Sequence, residues 1–205
     1  MSTRIAKRPA AMRKQPRQAR SRATVGAIVE AGARILGDEG WAGFTTNRVA
    51  DRAGVSIGSL YQYFPVKRAL VDAIRQLHLG DCMAALRGVR ADGVSPGVFA
   101  DQLVRAMIAA HRVHPRLHRV LLDEAPSSEE HLDPHSAFEQ DYLSCYADAV
   151  AACRARPPSP ADHLAAKVIS DAVDGVIHNA LRRGTLDDPA IQAELVRLIT
   201  LYLAG

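Results

Sequence analysis

Apolar side chains recur along this chain at the three- and four-residue intervals of helix faces. Val25, Ile28, Val29, Gly32, Ile35 and Leu36 form the first stripe, and Gly37 and then Gly40 are available to stop it, which predicts a helix over about 23–38. The next segment, FTTNRVADRAGVSIGSLYQYF, offers Thr45 or Thr46 as a cap and a short apolar face of Val49, Ala50 and Ala53. Gly54, Val55 and Ser56 follow, and then a second short helix bearing Leu60 and Phe64. Two helices of about eight residues joined by a three-residue turn containing Gly form a helix-turn-helix pattern. Ala50 lets the helices approach closely, Gly54 accommodates a left-handed or tight backbone, Val55 fills the wedge between them, and Ser56 caps the second. Such short helices are not stable alone. The first helix and the start of the fourth, with Ala69, Leu70, Ala73, Ile74 and Leu77 on one stripe, supply the missing core.

The pattern continues as helix to the end of the chain. Residues 69–86 extend the fourth helix, with Gly80 weakening its middle, before a loop marked by Gly88, Gly93, Pro96 and Gly97. Phe99, Leu103, Ala106, Met107 and Ala110 stripe a helix from near Ser95 to His114, and Pro115 opens a short one carrying Leu117, Val120, Leu121 and Leu122. After a polar break from Pro126 to Pro134, a helix bearing Phe138, Tyr142, Cys145, Tyr146, Ala149 and Val150 runs to about Ala155, ahead of the linker RPPSP at 156–160. Leu164, Val168, Ala172, Val173, Val176, Ile177 and Ala180 then line a helix ending at Gly184. Ile191, Leu195, Leu198, Ile199 and Tyr202 line the last one. The expected fold class is all-α.

Composition supports this reading. Of 205 residues, 48% are hydrophobic, 23% charged and only 5% aromatic, which excludes a disordered or collagen-like chain. The three cysteines, Cys82, Cys145 and Cys153, show no zinc-ribbon spacing and read as reduced thiols. Neither a secretory signal nor a membrane span occurs, so the expected location is cytoplasmic, with no membrane partner.

Charge changes the picture more. The formal net charge is +4, yet residues 1–22 hold eight Lys or Arg and no acid, leaving the rest of the chain at −4. This basic arm, Arg4 to Arg22, contains Pro9 and Pro16 and few large apolar groups. It is expected to be disordered when free and to attract a polyanion. Residues 1–68 carry 13 basic against four acidic side chains, net +9, and the other 137 carry net −5. One end of the chain is suited to a phosphate backbone and the other is not. The second short helix presents Ile57, Gly58, Ser59, Tyr61, Gln62 and Tyr63 while keeping Leu60 and Phe64 for the core, a small and polar face able to enter a major groove. Thr46 and Asn47 add short donors, and Lys67 and Arg68 add charge.

The stretch WAGFTTNRVADRAGVSIGSLYQYFPVKRAL at 41–70, with the preceding AGARILGDEGW, resembles the helix-turn-helix segment of the TetR/AcrR family of bacterial transcriptional regulators. The resemblance implies that Thr45 and Thr46 open the second helix and that Ile57 to Phe64 form the recognition helix. It implies phosphate contacts from Tyr63 and Lys67, with Tyr61 near the backbone, and backbone or base contacts from Thr46, Asn47, Ile57, Gly58, Ser59 and Gln62. Tyr63 stands where His is frequent in the family, which keeps a donor but changes its reach. About a quarter of the chain carries this resemblance; the remainder is similar to the family in length and helical plan.

The same resemblance implies a three-part layout: the disordered basic arm at 1–22, a DNA-binding domain at 23–68 and a helical effector-binding and dimerisation domain at 69–205. The last two helices would pair with their twofold mates through Leu164, Val168, Ala172, Gly175, Val176, Asn179, Ile191, Leu195, Leu198 and Tyr202. Candidate effector-lining residues are Met107, His111, Leu121, Phe138, Tyr142 and Tyr146, although aromatic and Met side chains at helical spacing also suit ordinary core. The expected partners are double-stranded operator DNA, a second copy of the chain and a small organic effector. His111, His114 and His118 invite a metal reading, but Pro115 interrupts the run and no anchoring motif accompanies it, so neither a metal nor another cofactor is expected. No catalytic residue is expected, since no GxSxG, P-loop, HExxH or dinucleotide fingerprint is present. The expectation is a ligand-released repressor. An activator of the same family, or a helical protein-interaction module without specific DNA binding, are the alternatives.

Overall fold

The computed structural model describes residues 18–126, 136–154, 156–157 and 159–204. Every regular element among these is a helix: α1 (Ala19–Gly43), α2 (Thr46–Ala53), α3 (Ile57–Tyr63), α4 (Lys67–Arg87), α5 (Pro96–Val113), α6 (Pro115–Asp123), α7 (Ala137–Cys153), α8 (Pro160–Arg183) and α9 (Pro189–Ala204). The expected basic arm lies outside the described residues up to Arg17, and so does the expected polar break after Pro126. Residues 19–22, expected within the arm, are instead the first turn of α1. Ala and Arg there are strong helix formers and extend the element N-terminally. At its other end α1 runs past Gly37, and its helical backbone is interrupted at Gly40, whose φ of +67° needs a residue without Cβ. Gly80 does not interrupt α4.

The chain divides into two compact units. One comprises Met1–Leu77 with Arg116–Leu132, the other His78–Pro115 with Asp133–Gly205. We call them head and body. Against the expected boundary at 68/69, the units divide between Leu77 and His78, nine residues further along α4, and α6 from Arg116 onward falls in the head.

In the head, Ile28, Ile35 and Leu36 of α1, Phe44, Val49 of α2, Leu60 of α3, Phe64, and Leu70 and Ile74 of α4 form one buried cluster with Leu117, Val120 and Leu121 of α6. A Cβ at Gly32 would come within 2.9 Å of Ile74 Cδ1, so the missing side chain sets how closely α1 and α4 approach. The end of α6 is tied to α4 by Arg75. Its buried guanidinium donates to the carbonyls of Leu121 (2.8 Å), Ala125 (2.9 Å) and Pro126 (2.8 Å), with the Asp72 carboxylate 3.6 Å away. A helix C-terminus leaves carbonyls without intrahelical donors and a partial negative charge, and Arg75 answers both.

In the body, Leu86 of α4, Phe99, Leu103 and Met107 of α5, Tyr146 and Val150 of α7, Ile169, Val173 and Ile177 of α8, and Ile199 of α9 share a second cluster. Helix α8 begins at Ser159, whose N–H (2.8 Å) and hydroxyl (2.7 Å) both donate to Asp162. Arg156 makes two bonds to the same carboxylate, at 2.6 and 2.7 Å, and Arg154 one at 3.1 Å. These donors hold Asp162 far below the usual carboxylate range. The helix ends at Gly184, in the left-handed region at φ +69°.

Candidate nucleic-acid interface

Local hydrogen bonding builds the helix-turn-helix. Thr45 accepts the Arg48 N–H at 3.3 Å and thereby caps α2. Gly54, at φ +66° and ψ 32°, ends α2 in the left-handed conformation, and the Val55 N–H donates back to Ala50 at 3.0 Å. Ser56 accepts the Ser59 N–H at 3.1 Å and caps α3. The expected turn chemistry is therefore present in each detail.

On α3, Leu60 is buried with Phe64 beneath it, whereas Ile57, Gly58, Tyr61 and Gln62 are exposed along the opposite face. Thr45 and Asn47 are exposed; Thr46, Ser59, Tyr63 and Lys67 are half-buried. Several expected contact groups already have work inside the head. The Tyr61 hydroxyl lies 3.0 Å from Thr46 Oγ1 and ties α3 to α2. The Ser59 hydroxyl lies 2.8 Å from that of Ser56. Lys67 Nζ stands 3.6 Å from the centre of the Trp41 ring and 5.2 Å from that of Phe44, a cation–π arrangement, and burial pulls its ammonium below the usual lysine value. Exposed Arg52 and Arg68 add positive charge to the same unit.

Most candidate effector residues lie in the body. Met107, His111, Tyr142 and Tyr146 are buried, and Phe138 packs against them half-buried. Phe138, Tyr142 and Tyr146 follow one another up α7, their rings stacked at 5.7 Å and then edge-on at 5.2 Å. Burial raises both phenols, and the charge of Asp174 on α8 adds to this. Asp174 itself is pushed up to about 7 by burial and by the charges of Asp171 and Glu139. Leu121 is the exception, because it belongs to the head core. Its helix periodicity identified an inward face without saying which interior that face meets. Of the other expected histidines, His114 follows α5 and His118 lies on the head portion of α6.

The candidate dimer residues are also mostly accessible. Leu164, Val168, Leu198 and Tyr202 are exposed large apolar side chains. Ala172, Gly175, Val176, Asn179 and Ile191 line a groove of about 430 Å³ between α8 and the start of α9. Leu195 corrects the expected set, for it is 3% exposed and packs inside its own chain. No helix among the described residues is long and apolar enough to cross a membrane.

This architecture has known counterparts. The family model for bacterial regulatory proteins, tetR family, matches residues 28–74, and the model for the tetracyclin repressor-like C-terminal domain matches 95–203. The chain belongs to the TetR family. It is a TetR-family transcriptional regulator, not an enzyme. Over 53 residues it is 42% identical to the class C tetracycline repressor protein of Escherichia coli, which covers 26% of this chain and 24% of that relative's length. Among solved structures it is similar to a TetR-family regulator of Streptomyces coelicolor, with a TM-score of 0.66, 24% identity, and 88% and 98% of the two chains covered. A putative TetR-family regulator of Rhodococcus sp. gives a TM-score of 0.68 at 22% identity, covering 89% and 99%. A TetR variant of Acinetobacter baumannii, solved with minocycline, gives 0.59 at 19%, covering 88% and 94%.

Two features of this TetR-family head escaped sequence reasoning. Arg75 resembles any solvated helix charge until α6 is seen against α4, since its partners lie 46 to 51 residues away. The pairing of Lys67 with Trp41 had a weak signal, an aromatic residue just after the Gly-terminated helix, but nothing in the spacing reported it.

Proposed function

We propose that this regulator is a cytoplasmic repressor that binds a palindromic operator as a homodimer and is released by a small organic effector. The exposed Ile57, Gly58, Tyr61 and Gln62 face of a fully capped helix-turn-helix carries the reading. A helix of this kind offers polar and small side chains to base edges, while Tyr63, Lys67 and the N-terminal basic residues hold phosphates. Thr46, Asn47 and Ser59 add contacts beside them. Dimerisation through α8 and α9 sets two recognition helices about 34–36 Å apart, one turn of DNA, and sums two weak half-site affinities. The groove beside Gly175 and the exposed apolar side chains of α8 and α9 support that surface. The aromatic ladder of α7 with Met107 supports a partly apolar effector, of the size class represented by minocycline in the Acinetobacter baumannii variant. Release requires the effector to bind the DNA-incompetent state more tightly than the competent one.

The test is retention of one palindromic duplex, selected from genomic fragments, against a scrambled duplex of equal length at several salt concentrations. Selective retention is expected. Lys67→Ala should weaken all duplexes and lower the salt slope by about one, while Gln62→Ala should change sequence preference. Equal binding of both duplexes would overturn the reading.

A further inference from the structure

The cations of the head are held in different ways. Arg34 pairs with Glu30 at 2.9 Å, Arg48 pairs with Glu39, and Arg75 is buried against three carbonyls and Asp72. Lys67 has no carboxylate or carbonyl partner among the described residues. Its ammonium is offered instead to two aromatic faces, 3.6 Å from the centre of the Trp41 ring and 5.2 Å from that of Phe44. A cation in the first turn of α4 also opposes the helix dipole, and no acid stands in that turn to offset it. Neither an ion pair nor helix electrostatics accounts for a lysine at this position.

The ring that meets Lys67 is itself fixed. Trp41 stacks on Phe44, with centres 5.9 Å apart and planes 26° apart, and Phe44 is wholly buried in the head core. The Trp41 backbone is held as well, since its N–H, just after the left-handed Gly40, donates to Glu124 Oε2 at 3.1 Å. A Cβ at Gly40 would stand 3.2 Å from the same oxygen, so the glycine lets that carboxylate approach the backbone. A rigid aromatic platform thus meets a flexible four-carbon side chain and restricts where its charge can go.

We propose that Trp41 is a positioning residue for DNA binding: its ring holds the Lys67 ammonium in one place, without a counter-ion, so that a backbone phosphate meets a cation that is already ordered. This rests on the repressor reading above, which assigns Lys67 to a phosphate. Lysine is among the side chains richest in rotamer entropy, and immobilising such a side chain at an interface weakens binding. A platform that orders it in the free protein removes that cost from the binding step. An ammonium has three N–H donors, and the ring occupies one side of it, which leaves donors for phosphate oxygens. Lys67 supplies the charge of the contact and Trp41 its placement, a contribution of about two- to tenfold in affinity per head.

The test is a double-mutant cycle on the full chain, read as affinity for the palindromic duplex of the preceding test and for its scrambled counterpart, whose binding depends on phosphates alone. Trp41→Leu, which keeps apolar volume without a π face, should weaken both duplexes about two- to tenfold per head in the parent and change nothing in the Lys67→Ala background. Trp41→Phe, which keeps a π face, should recover most of the loss. Trp41 is the single tryptophan of the chain, so its emission reads the ammonium directly, and Lys67→Ala should shift that emission in the DNA-free protein. The emission test needs no change at Trp41 and stands even where Trp41→Leu fails to fold. Unchanged emission, or an equal loss from Trp41→Leu with and without Lys67, would overturn the proposal and leave the repressor reading standing. Equal binding of both duplexes by the parent would overturn that reading alone, since the cycle is still read on the scrambled duplex. A parent that bound neither duplex would overturn both.

Discussion

Arg75 decides how α6 ends. Its three carbonyl acceptors, at 2.8, 2.8 and 2.9 Å, lie at the last turn of α6 and just beyond it. Arg75→Leu keeps an apolar stem but strips those carbonyls of their donor, and a buried acceptor left unpaired costs about 1–3 kcal/mol. The variant should therefore lose about 3 kcal/mol, read as a lower urea midpoint; an unchanged midpoint would mean that water replaces the guanidinium. Asp174 makes the opposite demand on the solvent. With Tyr142, Tyr146 and Cys82 around it and the charges of Asp171 and Glu139 near, its carboxyl titrates at about 7. The folded chain thus holds this proton more tightly than the unfolded chain does. Its contribution is fully present below the ordinary value near 4 and is lost as the pH rises to about 7. Asp174→Asn should be more stable than the parent at pH 8 by about 1–3 kcal/mol and should lose stability less steeply between pH 4 and 7. Thermal unfolding across that range checks it. Neither residue announced its role in the sequence, because both roles arise from side chains on other helices.

At the scale of elements, legibility followed the range of the forces involved. The α2–turn–α3 unit was readable nearly residue by residue, since its caps act within three or four positions: Thr45 on Arg48, Gly54 on the end of α2, Ser56 on Ser59. Ser56→Ala should cost about 1 kcal/mol through the lost cap. Gly54→Ala should cost a similar amount or more, since its left-handed backbone disfavours Cβ. Both would appear as lower thermal midpoints of the head, and a neutral Gly54→Ala would contradict the left-handed turn. The start of α1 was less legible, because Ala and Arg at 19–22 read as basic arm once charge is counted ahead of helix propensity. The assignment of helices to interiors was the least legible. Leu121 and Met107 share the same kind of apolar stripe, yet one joins the head core and the other the body core. Periodicity gives the buried face of a helix; the neighbour that buries it is set by tertiary packing.

At the scale of the whole chain, net positive charge gathers in the first third of the sequence, and the last two helices separate the residues that hold one chain together from those proposed to hold two. Leu195 and Leu198 are three positions apart on α9, yet the first is 3% exposed and the second 48%. Leu195→Ala should destabilise the single chain by about 2–5 kcal/mol by opening a cavity. Leu198→Glu should leave the chain folded, because an exposed apolar side chain contributes little to its own core, but should place a charge in an apolar contact between two copies. Sedimentation should then show a monomer. The affinity for a full palindrome should fall by about a hundredfold or more, toward that of a half-site, because the second head loses its effective concentration. A Leu198→Glu protein that stayed dimeric and bound the palindrome like the parent would place the twofold contact elsewhere. Destabilisation by both substitutions alike would instead make the exposed stripe of α9 part of the folded core.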